Sequence, residues 1–213
     1  MKKNASSSAG QALDFLIQGN NRFLKRLFPV NGNGDGIIEP LKLISGDQSP
    51  FCAILSCSDS RVPPEFIFDQ GIGDLFIIRT AGNYASTPAI ASIEYAVLKL
   101  KVPLVVVMGH NCCGAIQVAL DKELVGIELP SKNLNALANE FGSSIREAVK
   151  NNRGKENDIL MNYAARHHIQ RTIHSILESP VLQEAQKKNN VGIIGAFYSL
   201  NTGKVDFLLT ELC

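Results

Sequence analysis

The sequence predicts an α/β fold, with a mainly parallel β-sheet of about four strands flanked by helices on both faces and an antiparallel addition near the C-terminus. Two observations support this prediction. Continuous apolar runs of strand length alternate with helical patterns, as is typical of parallel strands that are covered on both faces. The last two apolar runs flank Asn201, Thr202 and Gly203, which favour a hairpin turn between antiparallel strands.

The N-terminal part predicts a helix or helix pair followed by a loop. From Ala12 to Phe28 apolar residues recur at roughly helical spacing, and Ser8 is a candidate N-cap. The stretch NGNGDGIIEP at 31–40 is rich in Asn and Gly, which favour turns, and it ends in a proline that prevents helix continuation. The apolar stripe of the helix would suit packing on its own subunit or on a neighbouring one.

Three strands are predicted in the middle of the chain, at 51–56, 75–80 and 103–109, with GIGD at 71–74 forming a turn before the second. Between the last two strands, STPAIASIEYAVLKLK predicts a helix that is capped by Ser86 or Thr87 and has Pro88 in its first turn. Further helices are predicted from near Cys113, at about 131–151, at about 156–178 and after Pro180.

The composition indicates one domain over residues 1–213, in which residues 1–45 form an N-terminal helical arm and loop. Lys and Arg number 21 and Asp and Glu number 20, so no broad field favours nucleic acid or an anionic membrane, and a small-molecule substrate fits better. The apolar runs fall far short of the roughly 20 residues that a membrane span needs.

Five cysteines, an odd number without regular spacing, make a poor disulfide framework, so we expect reduced thiols. The first residues, MKKNASSSAG, lack the apolar stretch of a secretory signal. We therefore expect a cytoplasmic protein, with an exported or periplasmic location as the alternative if a signal precedes this numbering.

Three candidate metal ligands follow two of the predicted strands. Cys57 follows directly on the first strand, His110 follows directly on the third, and Cys113 comes three residues later at a helix start. Sites in open α/β sheets form at the carboxyl ends of strands about 4.8 Å apart, so these side chains can converge on one ion. Two thiolates and one imidazole are a typical zinc set, and three protein ligands leave the open position of a catalytic site. The alternative is that both cysteines are small core residues.

Asp59 and Arg61 follow Cys57 at a spacing of two, so in an extended or turn geometry their side chains point the same way. An arginine can hold a carboxylate ionised in a fixed, bidentate orientation. Beside a metal, such a carboxylate can accept a proton or act as an alternative ligand. An ordinary surface salt bridge is the other interpretation of the pair.

CSDSR at 57–61, continuing as RVPPEFIFDQGIGDLFIIRTAGN, and GHNCCGA at 109–115 closely resemble the signatures of the β-class carbonic anhydrases. The resemblance spans most of the chain and includes IASIEYAVLKL and GAFYSLNTGKVDFL. It implies a β-carbonic anhydrase-like fold and the reversible hydration of carbon dioxide to bicarbonate and a proton, by attack of zinc-bound hydroxide. It also implies a homodimer or homotetramer in which the N-terminal helices embrace the neighbouring subunit.

The resemblance assigns roles to the same five residues. Cys57, His110 and Cys113 match the Zn2+ ligands of the family, and Asp59 with Arg61 matches its catalytic dyad. In the family the aspartate accepts a hydrogen bond from the zinc-bound hydroxide, and the arginine holds the aspartate off the metal. The alternatives on the same scaffold are a carbonyl sulfide or carbon disulfide hydrolase and a non-catalytic, zinc-stabilised scaffold protein.

Several other residues are candidates for lesser roles. Cys112 is expected to be a bystander beside Cys113, and Cys52 and Cys213 are expected to be unligated. The histidines of the helix predicted at about 156–178 could shuttle protons, although such residues more often lie on a packed or solvated helix face; they are His167, His168 and His174. Asn83 and Tyr84 are candidates to line the pocket. Since the chain has no tryptophan, we expect no non-catalytic bicarbonate pocket of the kind found in the pH-regulated branch of the family.

Overall fold

The computed structural model describes residues 7–27, 47–188 and 190–208. Within these ranges the chain forms five strands, seven α-helices and one short 3-10 turn. In chain order the elements are α1 (Ala9–Leu27), β1 (Cys52–Cys57), α2 (Pro64–Ile67), β2 (Leu75–Thr80), the 3-10 turn (Ala81–Asn83), α3 (Thr87–Leu98), β3 (Leu104–His110), α4 (Gly114–Val125), α5 (Lys132–Asn151), α6 (Asn157–Leu177), α7 (Pro180–Lys187), β4 (Gly192–Tyr198) and β5 (Val205–Leu208).

The described strands form one sheet in the order β2-β1-β3-β4-β5. The first four are parallel and β5 pairs antiparallel with β4, which confirms the predicted fold class. Every residue of β1, β3 and β4 is buried, because helices cover both faces of the sheet centre. β2 is an edge strand and is only partly buried.

The hairpin between β4 and β5 closes as predicted. The amide of Ser199 donates to the carbonyl of Lys204, and the amide of Gly203 donates to the carbonyl of Ser199 at 2.8 Å. Gly203 has a φ of 72°, a left-handed conformation that glycine adopts without steric strain. This hairpin lies beside the carboxyl end of β3, where His110 pairs with Tyr198 in the sheet register.

α1 is a single helix and packs on its own subunit. Ser8 caps it as predicted, with its hydroxyl accepting from the amide of Gln11 at 3.2 Å. Asn20 then fastens the helix to the hairpin, donating to the carbonyl of Gly203 and accepting from the amide of Val205. The loop predicted at 31–40 lies outside the described residues.

The structure places two predicted strands one residue later in the chain and adds one helix. β1 and β3 each end one residue later than predicted, so Cys57 and His110 are the last residues of their strands rather than the residues that follow them. The short helix α2 was not predicted; it starts at Pro64, whose fixed φ suits the first turn of a helix. Among the helices that the structure describes, none has the length and apolar character needed to cross a membrane.

Candidate metal centre

Three side chains with metal-ligating atoms meet where β1 and β3 end. Cys57 closes β1, His110 closes β3, and Cys113 immediately precedes α4. Their ligand atoms all lie within 4.8 Å of one another, and the two sulfur atoms are 3.9 Å apart. All three are almost fully buried, with exposed fractions of 5% for Cys57, 1% for His110 and 2% for Cys113. The structure therefore brings the three predicted ligands together in a protected cluster.

The Cys57 sulfur is surrounded by hydrogen-bond donors. The thiol of Cys113 is the most influential, and the backbone amides of Asp59 and Gly82 also point at the sulfur, at 3.4 and 3.2 Å. Together these donors lower the pKa of the Cys57 thiol to about 4, although burial opposes the shift. The surroundings of Cys57 therefore favour the thiolate form of its side chain.

Cys113 is held at the N-terminus of α4, where the backbone amides of Ala115 and Ile116 favour a negative sulfur. Its hydrogen bond to the Cys57 thiolate and its burial nevertheless raise its pKa well above the ordinary value of a thiol. Two thiolates 3.9 Å apart repel each other in a buried site, so a bound cation would favour loss of the second proton.

The ring of His110 is fixed in one tautomer. Its Nδ1 lies 2.8 Å from the carbonyl oxygen of Asn111, which can only accept a hydrogen bond. In the neutral ring the proton is therefore on Nδ1, and Nε2 carries the lone pair. Nε2 is buried and, within the described part of the chain, has no hydrogen-bond partner. Because an unpaired buried polar atom costs free energy, this nitrogen is suited to a metal ion.

The donor set fits a zinc ion. Two sulfurs and one imidazole nitrogen are ligands that zinc prefers, and three protein ligands leave one coordination position open. The carbonyl that fixes the histidine tautomer is the outer partner that metal-ligating histidines usually have.

Asp59 and Arg61 form the bidentate pair that the sequence predicts. Arg61 donates from its backbone amide and from Nε to Asp59 Oδ1, at 2.9 and 3.0 Å, and from Nη2 to Oδ2 at 2.7 Å. Nη2 also donates to the carbonyl of Cys112 at 3.1 Å, which ties the pair to the turn that carries Cys113. The hydrogen bonds from Arg61 lower the pKa of the Asp59 carboxyl to about 2, so the group is ionised at every physiological pH.

Two contributors to this centre were not predicted from the sequence. Gly82 supplies an amide to the Cys57 sulfur from the 3-10 turn, where its φ is 67°. Arg79, on β2, donates from Nε to the carbonyl of Cys57 at 3.0 Å and from Nη2 to the carbonyl of Asp59 at 2.6 Å. The only sequence signal for Arg79 is a lone charge near the end of an apolar strand.

The remaining cysteines lie apart from the ligand cluster where they can be described. Cys52 is fully buried within β1, and burial raises the pKa of its thiol well above the ordinary value. Cys112, which lies between His110 and Cys113 in the chain, is exposed and has a left-handed φ of 53°. Cys213 lies outside the described residues. Asn83, a candidate for the pocket, is 2% exposed.

The fold is shared with solved structures. A structure of a tetrameric β-carbonic anhydrase from Sordaria macrospora superposes with a TM-score of 0.69 at 23% identity, over 76% of this chain and 82% of that one. A Coccomyxa β-carbonic anhydrase in complex with acetazolamide gives a TM-score of 0.69 at 24% identity, over 78% and 74% of the two chains.

Sequence relatives give the family itself. A carbonic anhydrase of Mycolicibacterium smegmatis is 33% identical over 194 residues, which are 90% of this chain and 89% of that protein. Carbonic anhydrase 2 of Mycobacterium tuberculosis is 33% identical over 162 residues, 76% of this chain and 75% of that protein. The family model described as carbonic anhydrase matches residues 52–205. This chain therefore belongs to the carbonic anhydrase family, in its β class.

Proposed function

We propose that the protein binds one Zn2+ through Cys57, His110 and Cys113 and catalyses the reversible hydration of carbon dioxide to bicarbonate and a proton. The observation that carries the proposal is the convergence of these three buried ligands beside an ionised, arginine-held carboxylate. A site that only stabilised the fold would have no need for such a carboxylate.

Zinc in this site would act as a Lewis acid that brings the pKa of a coordinated water close to neutrality. The protein prepares the site in three ways. The donors around Cys57 stabilise its negative charge before a cation arrives. The Asn111 carbonyl keeps the Nε2 lone pair of His110 available, and burial of the ligands keeps bulk water from competing for them.

Asp59 orients the reacting water. Its Oδ1 already accepts two hydrogen bonds from Arg61, whereas Oδ2 accepts one and retains capacity for a hydrogen from water. Because its pKa is about 2, the carboxylate accepts that hydrogen bond without keeping the proton at neutral pH. The proton released by the reaction therefore leaves to solvent or buffer rather than resting on Asp59.

Stopped-flow hydration of carbon dioxide by the zinc-loaded protein tests this proposal. Cys113→Ala and Cys112→Ala form a matched pair, because the two residues are adjacent and only one belongs to the ligand cluster. We expect fast turnover in the parent and in Cys112→Ala, and none in Cys113→Ala. Turnover of carbonyl sulfide without turnover of carbon dioxide would show that the proposed substrate is wrong. A zinc-loaded protein with neither activity would overturn the whole proposal.

We further propose that the protein is a homodimer or homotetramer. The support is exposed apolar side chains on α2 and in the turn before β2, where Phe66 is 73% and Ile72 is 75% exposed. Light scattering during size-exclusion chromatography at micromolar concentration should give two or four times the chain mass of 23.1 kDa. A single-chain mass would contradict this proposal.

A further inference from the structure

Asn111 lies between the two ligands of the β3–α4 turn, and its polar groups are almost fully engaged. Its carbonyl accepts from His110 Nδ1, and its amide donates to the carbonyl of Tyr198 at the end of β4. Its side chain reaches the β4–β5 hairpin, where Oδ1 accepts from the amide of Leu200 at 2.7 Å and Nδ2 donates to Oδ1 of Asn201. Only 9% of the residue is exposed.

We propose that Asn111 is a positioning residue, whose side chain anchors the turn between His110 and Cys113 to the β4–β5 hairpin and thereby sets the geometry and affinity of the metal centre. This inference rests on the metal centre proposed above. It goes beyond the ligands and the dyad, since it makes the hairpin, about 90 residues away in sequence, part of the support of the site.

The backbone of the turn explains why an anchor is needed. Cys112 has a φ of 53°, a left-handed conformation that costs free energy for a residue with a side chain. Arg61 holds the turn at Cys112 by donating to its carbonyl. The side chain of Asn111 holds the turn to the β4–β5 hairpin. Without the side-chain contacts, Asn111 would keep only the hydrogen bond from its amide to the carbonyl of Tyr198, and the carbonyl that fixes the His110 ring could shift.

The anchor is specific to an amide or carboxylate of this length. It must accept from a backbone amide on one side and meet the side-chain amide of Asn201 on the other. Asn111→Asp keeps the acceptor for Leu200, and Asn201 can turn its amide so that its NH2 group donates to the new carboxylate. Asn111→Ala loses both contacts.

The test is the rate at which excess chelator removes zinc from the purified, zinc-loaded protein, together with the visible spectrum of the Co2+-substituted form. Outer partners of metal ligands typically contribute about 10- to 100-fold to metal affinity. We expect Asn111→Ala to release zinc faster by at least about tenfold and to alter the Co2+ spectrum, and Asn111→Asp to stay near the parent. Asn201→Ala, which loses only one of the two contacts, should fall between them and remains informative if Asn111→Ala does not fold.

Asn162→Ala is the matched control, because Asn162 is exposed in the same groove beside Asn111 and Asn201. It should release zinc like the parent and leave the Co2+ spectrum unchanged. Zinc release from Asn111→Ala at the parent rate, or equal acceleration by Asn162→Ala, would overturn the inference. A parent protein that binds no zinc would instead overturn the metal centre itself, so the two failures are distinguishable.

Discussion

The metal centre and the histidines of α6 are two groups of chemically capable side chains with opposite arrangements. At the metal centre, Cys57, His110 and Cys113 come from the ends of different elements and converge within 4.8 Å. On α6, His167 and His168 lie along one helix, and each has a hydroxyl group as its neighbour. His167 Nδ1 is 3.3 Å from the hydroxyl of Ser144, and His168 Nε2 is 3.3 Å from that of Thr172.

The difference teaches that convergence from separate elements identifies a site better than the density of reactive residues does. Three histidines within eight positions look more reactive in the sequence than a lone His110. Yet His168 packs against Phe141 with ring centroids 4.6 Å apart, and Tyr163 stacks on His167. These contacts are those of a packed helix, whereas His110 converges with the thiols of Cys57 and Cys113.

Replacing one histidine from each region should give the largest contrast. His110→Ala removes a ligand, so we expect zinc affinity to fall by more than the roughly 100-fold that loss of an outer partner can cause, with hydration lost as well. His174→Ala should retain both properties. Zinc content after dialysis and stopped-flow hydration measure the outcome, and a zinc-loaded, active His110→Ala protein would remove the distinction between the two regions.

Asp59→Asn separates chemistry from metal binding within the first region. The amide keeps the size of the side chain but loses its charge, so we expect hydration to fall by about 100-fold or more while zinc content is unchanged. Steady-state stopped-flow kinetics with parallel zinc analysis decide the matter. Hydration at the parent rate would show that the carboxylate does not orient the reacting water.

Arg61→Ala should have a smaller effect on hydration, because Asp59 keeps its charge at neutral pH. The pKa of Asp59 should rise from about 2 toward the ordinary value of about 4, with Arg61→Lys as the charge-preserving control. A lowered carboxyl pKa stabilises the folded protein above about pH 4, and this contribution is lost as pH falls toward about 2. Arg61→Ala should therefore be less stable than the parent at neutral pH and equally stable at pH 2. Carboxyl-carbon NMR titration would detect an unmoved Asp59 pKa, which would contradict the role of Arg61.

His168→Leu should change stability rather than activity. Burial lowers the pKa of His168 to about 4, so between pH 6.5 and 4 the unfolded chain binds a proton that the folded chain does not. The folded parent protein therefore loses stability as the pH is lowered from 6.5 to 4, by about 3 kcal/mol at pH 4. On acidification the unfolding free energy of the parent should fall relative to that of the variant, as measured by urea titration. A pH-independent difference would mean that His168 is not buried in its neutral form.

His167→Gln should have the smallest effect. If His167 only packs between Ser144 and Tyr163, hydration should stay within about twofold of the parent at both high and low buffer concentration. A rate that falls only at low buffer would identify His167 as a proton shuttle and would give the second region a part in catalysis.

Most of the fold and the ligand cluster could be predicted because their signals are local. Apolar runs mark β1 and β3, and the parallel arrangement sends Cys57 and His110 to one edge. The hairpin turn and the caps Ser8 and Ser86 are likewise set by neighbouring residues.

The supporting contacts could not be predicted because they join distant segments. Arg79 reaches the carbonyl of Cys57 across 22 residues, and Asn111 reaches the hairpin across 90. The sequence around either residue does not indicate its hydrogen-bond partner, since each bond depends on how two strands are aligned in the sheet. The packing of α1 on its own subunit was equally undetermined, because an apolar stripe does not specify what covers it.

X-ray absorption at the zinc edge of the purified, zinc-loaded protein tests the central claim most directly. We expect two sulfur atoms at about 2.3 Å and a histidine nitrogen at about 2.0 Å, with one sulfur lost in Cys57→Ser. A first shell of oxygen and nitrogen alone, or a spectrum that Cys57→Ser leaves unchanged, would contradict a metal centre built from Cys57, His110 and Cys113.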